Sequence, residues 1–150
     1  YLAKKVELDQ QVTVQGFRQM HEVSLANLKT ETNYFWRTKS ITGTGDTILS
    51  ETYTFKTNVK DSSAFMFGLV GDTQKNNRTP WAWGKVAEKL WGDRPNFVVH
   101  AGDVVEKGRR KSDWLQDFFP NGHILMSRVP TYTVLGNHED DSPLYYLGLE

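Results

Sequence analysis

Apolar and polar positions follow two different rhythms along this chain. Through residue 57 they alternate: residues 1–8, 12–14, 21–25, 34–38 and 52–57 carry an apolar side chain at roughly every second position. A period of two predicts half-buried antiparallel strands. Gly43-Thr44-Gly45-Asp46 predicts the turn between the last two of these strands. Leu25, Leu28, Thr32 and Tyr34 place a tyrosine at the entry of a strand just after a loop, the setting of the tyrosine corner in β-sandwiches.

Residues 58–63 are polar and predict a linker, and beyond them the rhythm changes. Residues 64–70 form a continuous apolar run suited to a strand buried on both faces. Thr79 and Pro80 predict an N-cap and a first helical residue, and Ala82, Val86 and Leu90 recur every four residues as in a helix. Residues 96–101 predict a second buried strand, residues 114–119 a helix-like segment and residues 130–135 a third strand. The order βαβαβ predicts an α/β unit with parallel strands and right-handed crossovers.

Each of the three strands ends in glycine followed by a side chain able to hold a metal: Gly71-Asp72, Gly102-Asp103 and Gly136-Asn137-His138. The carboxyl ends of parallel strands line one crevice, so these side chains are expected in one place. Glycine before each ligand is expected to allow a sharp turn and to keep space beside the metal free. Carboxylate, amide oxygen and imidazole suit manganese, iron, zinc or magnesium, and one aspartate can bridge two ions. Two adjacent ions can clamp the oxygens of a phosphoryl group during in-line displacement.

Composition narrows this picture. There is no cysteine, which removes disulfides and thiolate ligands, so any metal is held by oxygen and nitrogen. Lysine plus arginine balances aspartate plus glutamate at 18 each, so no global field favours nucleic acid or an anionic membrane. No apolar run is long enough to span a bilayer.

These motifs make the chain resemble the calcineurin-like metallophosphoesterases, including members similar to purple acid phosphatases. Gly71-Asp72-Thr73-Gln74 resembles the first family motif, Gly102-Asp103 through Gly108 the second, and Gly136-Asn137-His138-Glu139 the third. The resemblance implies two divalent or trivalent ions: Asp72 on the first metal, Asp103 bridging, Asn137 on the second metal, and His138 contacting the phosphate or protonating the leaving group. Gln74 stands where many members have histidine and is expected either as a weaker ligand, as a side chain that orients a water, or as ordinary loop polarity. Glu106 stands where the purple enzymes have tyrosine, so no iron–tyrosinate centre is expected. Residues 1–57 resemble a fragment of a fibronectin type III-like β-sandwich, with 58–63 as linker and 64–150 as the N-terminal half of the phosphoesterase domain. Later family histidines have no counterpart before Glu150, so the chain is expected to be a segment of a longer enzyme that does little alone.

The neighbouring residues have plainer readings. His100 is expected as a core histidine satisfied by a backbone carbonyl, Glu106 as a solvated charge, and Glu139 as a hydrogen-bond partner and not a ligand. His123 lies in an expected Pro120-Asn121-Gly122 turn. Lys107, Arg109, Arg110 and Lys111 form a basic cluster, read as a solvated run before an attractor of phosphate. Trp81, Trp83 and Trp91 are expected to pack. The expected substrate is a phosphorylated small molecule or other phosphoester, and an exported, periplasmic or extracellular location is favoured. The alternative is a non-catalytic binding module on the same scaffold.

Overall fold

The computed structural model of the protein describes residues 8–16 and 21–149, and the chain divides into two units, Tyr1–Lys60 and Asp61–Glu150. In the first unit four short strands form: β1 (Asn33–Trp36), β2 (Lys39–Ile41), β3 (Thr47–Leu49) and β4 (Tyr53–Lys56). β1 pairs antiparallel with β4, setting Tyr34 opposite Phe55 and Trp36 opposite Tyr53. The ring centroids of these pairs lie 5.7 and 5.2 Å apart. Such cross-strand aromatic pairs contribute about 0.2–1 kcal/mol each and fix the register. The Tyr34 hydroxyl accepts a hydrogen bond from the Lys29 N–H at 2.8 Å, tying the strand back to the preceding loop.

β2 and β3 form a separate antiparallel hairpin. Its turn runs from Thr42 to Asp46, with Gly45 at φ 88° and the Thr42 N–H donating to the Asp46 carbonyl at 2.9 Å. The predicted turn therefore closes a hairpin that the sequence reading did not contain. Both hairpin strands are exposed on both faces, so no alternation marks them. Residues 12–14 and 21–25, predicted as strands, are not strands, and Val12, Val23 and Leu25 are exposed. Alternation supplies a face, but a strand also needs a neighbour to take its backbone groups. The strand predicted over residues 1–8 lies, apart from Leu8, outside the described residues.

The second unit runs β5 (Phe67–Val70), α1 (Ala82–Asp93), β6 (Phe97–His100), a π-helical segment (Asp113–Phe118), α2 (Phe119–Met126), β7 (Thr131–Thr133) and α3 (Pro143–Leu149). The strands form one parallel sheet in the order β5-β6-β7. This is the α/β unit that the βαβαβ pattern predicts.

Three local expectations are corrected. First, α1 begins at Ala82 with Trp81 at its N-cap, because the Asn76 side chain caps the Arg78 and Thr79 N–H groups and holds Thr79 and Pro80 in a turn before the helix. Trp81 is consequently exposed and does not pack, whereas Trp83 is buried and Trp91 is half-buried beneath the Arg94 guanidinium, 3.3 Å from its ring centroid. Second, Pro120-Asn121-Gly122 and His123 lie inside α2 and not in a turn. Proline lacks an N–H and crowds the carbonyl four residues before it, and the chain answers with the wider π-helical turn directly upstream. Third, the sheet is buried on one face only. Val98 and His100 are 0% exposed on the side covered by the helices, whereas Leu69 and Tyr132 on the other side are 68% and 61% exposed.

The core under the helices contains Trp83, Ala87, Val98, Val104, Val105, Trp114, Phe118, Leu125, Val129 and Tyr145. Trp83 stacks on Phe118 at 5.7 Å and donates from its indole nitrogen to the Phe118 carbonyl at 3.0 Å. Gly122 brings α2 against α1: a Cβ there would lie 2.7 Å from Met126 Sδ and collide with the Trp83 indole.

Candidate functional site

Three loops leave the carboxyl ends of β5, β6 and β7, and hydrogen bonds tie them together at the predicted ligands. The Asp72 N–H donates to the Gly102 carbonyl at 3.2 Å, while the Thr73 and Gln74 N–H groups share the Asp103 carbonyl at 3.1 and 3.0 Å. The third loop joins through the His138 N–H, which donates to Asp103 Oδ1 at 3.0 Å, and through its carbonyl, which accepts from the Gly108 N–H at 2.9 Å. Asp72, Gln74, Asp103 and His138 thus come together around Asp103. Asn137 is exposed and sits between two residues that both touch Asp103.

Missing side chains permit this approach. A Cβ on Gly102 would lie 2.7 Å from the Gly136 backbone, one on Gly136 would collide with the Asp103 carboxylate, and one on Gly108 would collide with the Glu139 backbone. Gly71 differs, since a Cβ there would only touch Ala101 at an ordinary 3.5 Å. Glycine is therefore required by loop packing at the second and third positions and not at the first.

Asp72 and Asp103 both adopt φ 55°, the left-handed region. That conformation costs most L-residues roughly 1–2 kcal/mol, with asparagine and aspartate the best tolerated after glycine. The same left-handed backbone thus recurs at two corresponding strand ends. Asp103 is buried at 8% exposure, and Asp72 is exposed.

Gln74 Oε1 is buried and makes no hydrogen bond. An acceptor left without a donor costs about 1–3 kcal/mol, which a cation or a bound water at this position would offset. Among the described residues no three histidine, aspartate or glutamate side chains gather as a metal cage. Asp72, Gln74, Asp103 and Asn137 offer oxygen donors, the chemistry that part of a metal shell would use.

The His138 ring sits against the second loop, with Nδ1 2.8 Å from the Glu106 carbonyl. A carbonyl only accepts, so Nδ1 carries a proton and Nε2 is the nitrogen whose protonation varies. The bond to the Glu106 carbonyl is the main cause that raises His138 above its ordinary pKa of 6.5, with the Asp103 carboxylate adding to it. The Glu106 backbone thus orients the imidazole, and its part-exposed carboxylate lies 3.7 Å from Nδ1.

His100 is fully buried, edge-on to Trp83 and Phe118, with Nε2 2.6 Å from Thr73 Oγ1. Burial lowers its pKa below 6.5, opposed by the Glu139 and Asp72 carboxylates, the Gly102 backbone and the Asp103 carboxylate. The basic cluster is partly consumed in ion pairs, Arg109 with Asp140 at 2.9 Å and Arg110 with Asp113 at 3.4 Å. His123 is exposed on α2. The residue whose weight the sequence understated is Glu139, which is 0% exposed and accepts hydrogen bonds from the second and third loops together.

A family model described as calcineurin-like phosphoesterase matches residues 65–149. The chain belongs to the calcineurin-like phosphoesterase family. Among curated proteins it is similar to "Probable inactive purple acid phosphatase 9" of Arabidopsis thaliana, 30% identical over 96 residues that cover 56% of this chain and 14% of the relative. Among solved structures it is similar to a purple acid phosphatase isolated from yellow lupin (Lupinus luteus) seeds, with a TM-score of 0.62, 25% identity and coverage of 75% of this chain and 22% of that one. The chain spans less than a quarter of either relative. As in other calcineurin-like phosphoesterases, the parallel sheet of the second unit is part of an α/β phosphoesterase fold. No helix of the described residues is long and apolar enough to cross a membrane.

Proposed function

We propose that this chain carries the first three ligand-bearing loops of a metal-dependent phosphoesterase that hydrolyses a phosphate ester. The observation that supports it most is the direct bonding of all three loops at Asp103, which accepts from the first loop through its carbonyl and from the third through its carboxylate. In this reading Asp72 and Gln74 serve one ion, Asp103 bridges and Asn137 serves a second. The ions, manganese, iron, zinc or magnesium, supply positive charge to the phosphoryl oxygens and acidify water when bound. His138, with Nδ1 fixed and its pKa raised, is suited to hold a proton on Nε2 for the leaving oxygen.

Equilibration of the purified chain with millimolar Mn2+, followed by electron paramagnetic resonance of the free ion, tests this reading. The expected result is weak, saturable binding of a single ion, lost in Asp103→Asn. Absence of binding in the wild type overturns the reading. Two tightly held ions would mean that ligands beyond Asp72, Gln74, Asp103 and Asn137 take part.

A second reading, a binding module on a phosphoesterase scaffold that has lost catalysis, is favoured by Gln74 in place of histidine and by the relative named inactive. The proposed domain limits are 1–57, 58–63 and 64–150. The bond from Lys29 to the Tyr34 hydroxyl supports a fibronectin type III-like character for the first segment. Export from the cell, and a phosphorylated small molecule as substrate, belong to the same proposal.

A further inference from the structure

We infer that Glu139 is a positioning residue: its carboxylate is the clamp that sets the Asp103 and Asn137 loops against each other before any metal arrives. The inference rests on the metal-centre reading above.

One oxygen, Oε2, accepts from the Asp103 N–H at 2.8 Å and the Gly136 N–H at 2.6 Å, so a single atom joins the two loops. The other, Oε1, accepts from the Val104 N–H at 2.8 Å and the Val105 N–H at 3.2 Å. Four backbone donors thus converge on one side chain that is 0% exposed. No lysine or arginine ion-pairs with it among the described residues; Arg109 pairs with Asp140. Backbone N–H groups converging in this way make an anion-binding nest, here occupied by the protein's own carboxylate.

Placement gives the clamp its role. Asp103, a donor to the clamp, is itself the proposed bridging ligand, and Gly136 immediately precedes Asn137. The collisions that a Cβ would cause at Gly136 and Gly108 show that the two loops have no slack once clamped. Releasing them would let Asp103 and Asn137 separate, and partners that orient metal ligands are typically worth about 10–100-fold in metal affinity.

Glutamine at this position discriminates sharply, because it keeps the shape but replaces one acceptor oxygen with an NH2 donor. Whichever way the amide turns, one pair of N–H groups faces a donor. The test is amide hydrogen exchange of the metal-free chain, read by NMR at residues 103–105 and 136, together with Mn2+ affinity by electron paramagnetic resonance. In Glu139→Gln, exchange at these amides is expected to rise at least about tenfold while Val98 and Leu125 stay protected, and Mn2+ affinity is expected to fall about 10–100-fold. If Val98 and Leu125 also lose protection, the variant has unfolded and Glu139→Asp, which keeps both oxygens on a shorter stem, takes its place with the same readouts.

Unchanged exchange at residues 103–105 and 136 overturns the clamp. Faster exchange with unchanged Mn2+ affinity overturns the positioning role and leaves the metal-centre reading intact. Absence of Mn2+ binding by the wild type overturns that reading, and the positioning role with it, even where the four amides are protected.

Discussion

The two faces of the parallel sheet are made of similar residues and have opposite fates. On one face Val98 and His100 lie beneath α1, α2 and the π-helical segment, sealed by Trp83, Phe118 and Leu125. On the other, Phe67, Leu69 and Tyr132 are exposed, and the rings of Phe65, Phe67 and Phe97 stack on one another at 5.5–6.4 Å. An apolar strand therefore records that a face is built to be covered, and says nothing of what covers it. Parallel sheets are ordinarily covered on both sides.

Four measurements break or sharpen this contrast. The largest effect is expected for Phe118→Ala, a fully buried ring, at about 3–5 kcal/mol in urea unfolding. A loss no larger than that of Tyr132→Lys on the open face would mean that the two faces do not differ. Gly122→Ala drives a methyl into the Trp83 indole and is expected to cost about 1–3 kcal/mol, since cores resist overpacking. A wild-type unfolding midpoint would show that α1 and α2 can part without penalty.

The third measurement uses the titrating group that only the covered face contains. His100 is held below its ordinary 6.5, so between that value and its lower folded pKa the unfolded chain binds a proton that the folded chain refuses. Its contribution to stability is complete above about pH 6.5 and declines as pH falls. His138, raised above 6.5, acts in the opposite sense and loses its contribution as pH rises through its folded pKa. Urea midpoints followed from neutral to mildly acid pH are expected to fall less steeply in His100→Gln than in the wild type. Parallel pH profiles would refute the assignment.

The smallest effect on stability belongs to the open face. Leu69→Lys and Tyr132→Lys are expected to change unfolding free energy by no more than about 0.5 kcal/mol, while reducing binding of a hydrophobic dye and slowing aggregation. A large loss of stability would mean that the face is already covered in solution.

The parts legible in the sequence were those written in local chemistry. Apolar runs ending at Gly71-Asp72, Gly102-Asp103 and Gly136-Asn137-His138 announced parallel strands with polar side chains at their ends, and both the family and the sheet agree. What depended on distant partners was not legible. The alternation at residues 12–14 and 21–25 resembles that of a strand, but pairing is a property of two segments. The π-helical turn answers to Pro120 only once helix geometry is known to continue through it. Glu139 was legible as a hydrogen-bond partner, but nothing in the string of letters reveals that its four N–H donors reach as far back as Asp103.

The left-handed backbone at Asp72 and Asp103 limits the routes by which this site can drift. Alanine or valine at either position would remove a carboxylate and also meet the steric penalty of φ 55°. Asparagine and glycine would remove the charge while leaving the turn at ease. A lineage abandoning catalysis while keeping the scaffold should therefore accumulate asparagine or glycine at these two positions well before it accumulates branched residues, and chains that have taken that path would keep the shape of the crevice after its charge had gone.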